Sequence, residues 1–273
     1  MGVLDITGLT KAQQRVVSVI SRNPQLVPFA DTADIARRAD VNNSTVVRTA
    51  QALGYSGWPD LQRELRARYL LRITSEDTLI EHGRHRSPMH EALERDIGNL
   101  RQTVDANTSS EAQAAIDGLA NAKRILVLGV GSFAGPANLL AHLGSIMGYT
   151  IAHEQRAGVH LASAINSLGQ DDVVVVINMW RANKQLTLAA EAARAMGASA
   201  LVITDMRNGR LAAAADQLLI VPSEGVSFFQ SVTAATSVVY GLLAGMEAAH
   251  PERSRQALRR TQQLWKDLDI YLD

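Results

Sequence analysis

Three groups of residues in this 273-residue chain combine side-chain type and spacing in ways that suit molecular recognition. The first is Asn42-Asn43-Ser44-Thr45 together with Arg48 and Thr49. On a helix this run gathers at the N-terminal end and outer face. There Arg can grip guanine bidentately, Asn can pair with adenine, and hydroxyls can reach a base edge or a phosphate. The second is Gly129-Val130-Gly131-Ser132, where glycines let the backbone approach a ligand and a following helix would aim its first N–H groups at an anion. The third is Asn178-Met179-Trp180-Arg181-Ala182-Asn183-Lys184, with Ser223 and Ser227 further along. Arg181 offers a planar fork and Lys184 a point charge for a phosphate or carboxylate. Cations at a helix start oppose its dipole unless an anion joins them, so Arg181 and Lys184 point to an acidic ligand, with Asn178 beside them.

Short helices must position the first group. Thr10 caps a helix carrying Val16, Val17 and Ile20, which Asn23-Pro24 ends. A second spans Asp31 to Ala39 and buries Ala33, Ile35, Ala36 and Ala39. After the turn Asp40-Val41-Asn42-Asn43, a third runs from Ser44 to Leu53 and Gly54 closes it. Two helices crossing steeply need a small residue at the contact and a tight turn between them; Ala36 supplies the first, and Asp40 can visit the left-handed region. A further helix, Gln62 to Leu71, carries Arg63, Arg66, Arg68 and Arg72, which suit a phosphate backbone. From Met1 to Ser75 there are ten Lys/Arg against six Asp/Glu, in a chain whose net charge is zero. The first segment is thus the basic one.

The other two groups fall in a β-α-β pattern. Strands are expected over Arg124–Leu128, Thr150–His153, Val173–Ile177, Ala200–Thr204 and Gln217–Val221. Helices are expected over Phe133–Met147, Val159–Leu168, Lys184–Met196, Leu211–Ala215 and Phe228–Ala249, the tail Pro251–Asp273 adding one more. Nearly all-apolar strands alternating with helices predict a three-layer α/β/α domain on a five-stranded parallel sheet. Ligands of such sheets bind beyond the carboxyl ends of the strands, where Gly129, Asn178 and Ser223 fall. The expected organisation is 1–75, an all-helical helix-turn-helix domain; 76–108, a linker helix; 109–249, the α/β domain; and 250–273, a C-terminal helix. In the linker, Met89, Leu93, Ile97, Leu100 and Val104 form an apolar stripe that packs against the α/β core or a second copy.

Composition excludes several chemistries. With 47% hydrophobic and 20% charged residues the chain folds around a sizeable core. It has no cysteine, so disulfides, thiolate catalysis and Cys-ligated zinc are ruled out, and a reducing cytoplasm is the expected setting. No apolar run approaches the ~20 residues that span a bilayer, so no membrane association is expected. His82, His85 and His90 read as a solvated linker, and no metal or other cofactor is expected.

The run ADIARRADVNNSTVVRTAQALGYSGWPDLQRELRARYL resembles the N-terminal domain of the RpiR/MurR family of bacterial transcriptional regulators. The resemblance rests on Thr45-Val46-Val47-Arg48 and on Leu53-Gly54-Tyr55-Ser56-Gly57-Trp58-Pro59-Asp60-Leu61. Residues 125–246 resemble a SIS (sugar isomerase) domain, through G-V-G-S after the first strand and the segments GQDDVVVVI, GASALVITD and AAAADQLLIV. Together they imply a regulator that binds double-stranded operator DNA as a homodimer or homotetramer and senses a phosphosugar or related metabolite, without catalysis. Dimers would place two recognition helices about one helical turn apart, ~34 Å, on a palindromic site. The family commonly has S-x-S-G-x-T after the third strand to cradle a phosphate, and this chain lacks those hydroxyls. A small anionic effector, phosphosugar-like or carboxylate, is therefore expected at Gly129, Gly131, Ser132, Asn178, Arg181, Lys184, Ser223 and Ser227. Two alternatives stand beside this. A SIS-type isomerase would need a general base, for which Glu154, Glu224, His153 and His160 lie near strand ends. Gly129, Gly131 and Ala134 also fit G-x-G-x-x-A, with Glu154 placed to bind a ribose, which describes a dinucleotide site.

Overall fold

The computed structural model describes residues 8–24, 26–28, 30–70 and 87–271. The chain divides between Glu81 and His82 into two compact units.

The first unit is helical: α1 (Lys11–Arg22), α2 (Thr32–Ala39), α3 (Asn43–Ala52) and α4 (Trp58–Leu70). Side chains set these boundaries. Thr10 and Gln13 form a reciprocal capping box at the start of α1, and Asp31 accepts from the Asp34 amide at 2.7 Å to start α2. Asp40 ends α2 in the left-handed conformation, φ 51°. Its Cβ-bearing backbone thus does what glycine does in many such turns. One core gathers Val16, Ile20, Ile35, Ala36, Val46, Ala50, Trp58 and Leu61. The fourth helix begins four residues earlier than its polarity predicts, because Asp60 accepts from the Ser56 amide at 3.0 Å and Trp58 is driven into that core.

In the second unit the order is α5 (Pro88–Ala106), α6 (Ser109–Asn121), β1 (Ile125–Leu128), α7 (Ala134–Ile146), β2 (Ile151–Glu154), α8 (Val159–Asn166), β3 (Val173–Ile177), α9 (Lys184–Ala195), β4 (Ser199–Thr204), α10 (Arg210–Ala213), β5 (Gln217–Ile220), α11 (Thr233–Ala249) and α12 (Pro251–Asp267). A capping box of Thr108 and Glu111 opens α6. All five strands are parallel in the order β2-β1-β3-β4-β5, with Ile125 opposite both Ile151 and Val173. Alternate residues of each strand feed opposite faces. Val127, Val175, Ile177, Leu201 and Ile203 join the core under α6, α7 and α11, whereas Leu126, Leu128, Val174, Val176 and Val202 join the core under α8 and α9. A sheet covered on both faces explains why β3 is an unbroken apolar run.

Two helix boundaries correct the sequence reading. The long helix expected from Phe228 starts at Thr233, because residues 222–232 form a closed loop in which the Ser231 amide bonds Ser223 O at 2.9 Å. The tail helix stops at Asp267, where Asp269 turns left-handed, φ 52°, and the Ile270 amide returns to Trp265 O. In α5 only Leu100 of the apolar stripe packs against the core. Met89, 77% exposed, and Val104, 76%, lie open with Leu93 and Ile97.

Candidate functional site

At the start of α3 the Asn42 carboxamide oxygen caps the helix, accepting from the Thr45 amide at 2.9 Å and from the hydroxyls of Ser44 and Thr45 at 2.8 and 2.7 Å. A three-fold acceptor fixes the helix start, so Asn42 aims the surface more than it reads with that oxygen. Asn43, Ser44 and Arg48 are exposed, and the Arg48 guanidinium rests 3.2 Å from Ser44 Oγ. Thr45 is half-buried. Thr49 is a correction: it is 0% exposed, and its hydroxyl donates to Thr45 O at 2.7 Å. It follows Val46 by three residues and shares that core-facing side, so it cannot touch a ligand. Arg66 is likewise committed, its Nε donating to Pro28 O at 3.1 Å. Arg72, His82 and His85 lie outside the described residues.

The remaining candidates lie at the carboxyl edge of the sheet. From the adjacent strands β1 and β3 the chain runs on to β2 on one side and to β4 on the other, so the loops after β1 and β3 leave in opposite directions and flank the resulting crevice. Gly129 ends β1 where a side chain has no room: a Cβ would stand 2.6 Å from Phe133 O and 2.7 Å from Ala137 Cβ. Gly131 has open space but a left-handed backbone, φ 59°. Ser132 is exposed in the 3-10 turn Gly131–Phe133, which leads into α7.

The loop after β3 is braced from within. Asn178 is buried; its Nδ2 donates to Met179 O at 3.1 Å and Arg181 O at 2.9 Å, while Oδ1 accepts from the Asn183 amide at 3.2 Å. Its side chain is therefore a brace for the loop, which corrects its assignment as a ligand contact. Asn183 caps α9, accepting from the amides of Gln185 and Leu186 at 2.9 and 3.2 Å. Two of the N–H groups that would have met an anion are thereby satisfied internally. Arg181 and Lys184 are exposed, and the Arg181 guanidinium lies 4.8 Å from the centre of the Trp180 ring. Trp180 itself is left-handed, φ 65°, and its buried Nε1 has no hydrogen-bond partner.

Asp205, just after β4, has no role that the sequence motifs assign and joins these loops. Both carboxylate oxygens lie 2.9 Å from the Trp180 amide, and Ser223 Oγ, 3.2 Å away, donates to one of them. Ser223 is buried, so its hydroxyl serves the loops; Ser227 is half-buried. The expected ligand set thus separates into exposed Gly131, Ser132, Arg181 and Lys184 and buried Gly129, Asn178 and Ser223. None of them lines the apolar groove of about 430 Å³ between α8 and α9, bordered by Leu161, Ile165, Leu188 and Met196.

Three of the four groups on which catalysis or a dinucleotide would depend, Glu154, His153 and Glu224, are engaged. Glu154 is held by Arg156, whose backbone N, Nε and Nη2 lie 2.8, 2.9 and 2.7 Å from its carboxylate. That pairing outweighs burial and holds the Glu154 pKa down to about 2, too weak a base for proton abstraction near neutrality. The same pairing occupies the carboxylate that a ribose would need. His153 Nε2 is 3.0 Å from Gly129 O, and Glu224 pairs with Arg95. His160 is exposed. Among the described residues no cluster of three His, Cys, Asp or Glu converges as metal ligands, and no helix is long and apolar enough to cross a membrane.

Two family models match the chain: the helix-turn-helix domain of the rpiR family over residues 5–70, and the SIS domain over residues 118–245. Among solved structures, the second unit is similar to the sugar isomerase domain of an RpiR transcription factor from Sphaerobacter thermophilus. The TM-score is 0.63 with 26% identity, over 66% of this chain and 99% of that one. The Vibrio vulnificus NanR protein complexed with ManNAc-6P has a TM-score of 0.60 at 19% identity, over 97% of this chain and 96% of that one.

Proposed function

As a member of the rpiR family of helix-turn-helix transcriptional regulators, with a SIS domain behind its DNA-binding module, the chain has a reader and a sensor, and we propose how each works. The reader is the capped start of α3: Asn43, Ser44 and Arg48 enter the major groove of a palindromic operator, while Asn42 and the buried Thr49 hold the helix in register. The sensor is the carboxyl edge of the sheet, where Gly131, Ser132, Arg181 and Lys184 bind a small anionic effector, phosphosugar-like or carboxylate. The observation that carries this reading is the sorting of polar groups at that edge. The buried ones brace the loops, and two cations are exposed beside the crevice of a domain similar in fold to the NanR protein complexed with ManNAc-6P. The effector acts by differing affinity for DNA-competent and incompetent arrangements. The protein works as a homo-oligomer, with the exposed stripe of α5 facing a second copy.

The test is retention of fragmented host DNA on the purified protein at ~0.15 M salt, where non-specific phosphate binding is weakened, followed by sequencing. A shared inverted repeat is expected. Titrating N-acetylmannosamine 6-phosphate, other sugar phosphates and small carboxylates against that duplex then identifies the effector class. Arg181→Ala keeps DNA affinity and abolishes the response. Turnover of a phosphosugar by the wild-type protein would refute the purely regulatory reading.

A further inference from the structure

The regulator reading leaves open how an occupied loop after β3 is felt elsewhere in the second unit. Three observations bear on this. First, Trp180 is bulky yet left-handed, a conformation that persists only where its surroundings hold it. The hold is Asp205, whose two carboxylate oxygens both lie 2.9 Å from the Trp180 amide. Second, Ser223 Oγ lies 3.2 Å from both Asp205 Oδ2 and Gln230 Oε1. The single hydroxyl proton has two acceptors within reach, of which the charged Asp205 carboxylate is the stronger. The loop this hydroxyl anchors is closed on itself: the Ser231 amide bonds Ser223 O, and a Cβ on Gly225 would stand 2.0 Å from Phe229 O. A loop with no slack transmits displacement as a body. Third, that loop grips α5. Asn99, 1% exposed, donates from Nδ2 to Glu224 O at 2.9 Å; Arg95 pairs with the Glu224 carboxylate; Thr233 donates to Asp96 at 2.6 Å. Arg207, two residues after Asp205, donates to Ala106 O at 2.6 Å and so caps the other end of α5.

We propose that Asp205 is the positioning residue that couples the effector loop to α5: it seats Trp180, and through Ser223 it seats the loop that holds Glu224 against that helix. Binding at Arg181 shifts the Trp180 backbone against Asp205, and the shift reaches α5 through Ser223 and Glu224. This rests on the effector reading above, but the coupling exists in the ligand-free protein and is reciprocal, so it can be read from the α5 end.

The experiment is fluorine NMR of the full chain labelled with 5-fluorotryptophan. Its three tryptophans, Trp58, Trp180 and Trp265, give three lines, and Trp180→Phe identifies the second. Arg95→Ala, an exposed site on α5, and Thr233→Ala should each move the Trp180 line by more than its width. The Trp265 line, from α12 of the same unit, should stay in place and report that this unit is intact, and the Trp58 line should do the same for the first unit. In an Asp205→Ala background, which removes the acceptor for both the Trp180 amide and the Ser223 hydroxyl, the same substitutions should leave Trp180 unmoved; Ser223→Ala provides the same break if Asp205→Ala does not fold. An unmoved Trp180 line in the single variants overturns the proposal, and so does a shift that survives the loss of Asp205 or Ser223. No DNA or effector enters the measurement, so a failure to bind operator would sink the regulator reading and leave this result standing.

Discussion

Arg48 and Thr49 are adjacent in sequence, and the structure gives them opposite fates. Arg48 is exposed midway along α3, whereas Thr49 is sealed in the core with its hydroxyl on Thr45 O. If Arg48 meets a guanine bidentately, removing it costs about 1–3 kcal/mol of discrimination, roughly 5- to 150-fold in affinity for the operator. Random duplex, held by phosphate contacts alone, should lose far less. Thr49→Val keeps the shape and deletes one internal hydrogen bond, a stability loss of about 1 kcal/mol with operator affinity unchanged. The assay is fluorescence anisotropy with the selected duplex and a scrambled one, at several salt concentrations, beside urea unfolding of each variant. Equal losses on both duplexes, with the salt dependence reduced by about one unit in Arg48→Ala, would show that Arg48 neutralises a phosphate and reads no base. An operator defect in folded Thr49→Val as large as that of Arg48→Ala would refute the orientation assigned to α3.

Gly129→Ala should destabilise the second unit by about 1–3 kcal/mol in urea unfolding, because its Cβ meets backbone at 2.6 Å. Gly131→Ala, which meets nothing but needs φ 59°, should cost about 1–2 kcal/mol and be relieved by Gly131→Asn. The Glu154 pKa is depressed from 4.5 to about 2, chiefly by its hydrogen bonds to Arg156, so the stability it contributes is complete above pH 4.5 and disappears as pH falls toward 2. Urea midpoints of the wild type and Glu154→Gln should therefore differ at pH 6 and converge near pH 2; a constant gap would remove the ion pair as its cause. Met89→Glu with Val104→Glu, placed on the exposed stripe of α5, should lower the mass measured by light scattering and leave circular dichroism unchanged.

Most of the architecture was legible because local signals agree with the fold. Thr10, Asp31 and Thr108 name helix starts by their own chemistry, and four consecutive valines before Ile177 in β3 leave no polar face for solvent. The position of Thr49 was legible too: Val46, Thr49 and Ala50 repeat at three and four residues, and that periodicity outweighs the hydroxyl's suitability for a base edge. The roles of Asn178 and Ser223 were not legible. A polar side chain just after a strand of a parallel sheet has two possible partners, a ligand and the backbone of its own loops, and residue type does not distinguish them. Asp205 decides the matter here, yet it meets Trp180 across 25 residues and Ser223 across 18, distances that no helical or strand periodicity encodes.

That competition also bears on which residues are left for the effector. Buried polar groups must be satisfied before any ligand arrives, since each one unpaired costs about 1–3 kcal/mol. Asn178, Asp205 and Ser223 are satisfied by loop backbone and by each other, and Asn183 fills the start of α9. A ligand that displaced any of them would have to replace those bonds at once. Recognition at lower cost falls to the exposed groups, Ser132, Lys184 and Arg181, the last with its guanidinium 4.8 Å from the centre of the Trp180 ring. The loop after β3 therefore behaves as a stiff platform that presents two cations. On the proposed reading, an anion bound by Arg181 would act on the residue next to Trp180 while Asp205 holds the Trp180 amide, so a small ligand could move a backbone it does not itself hydrogen-bond.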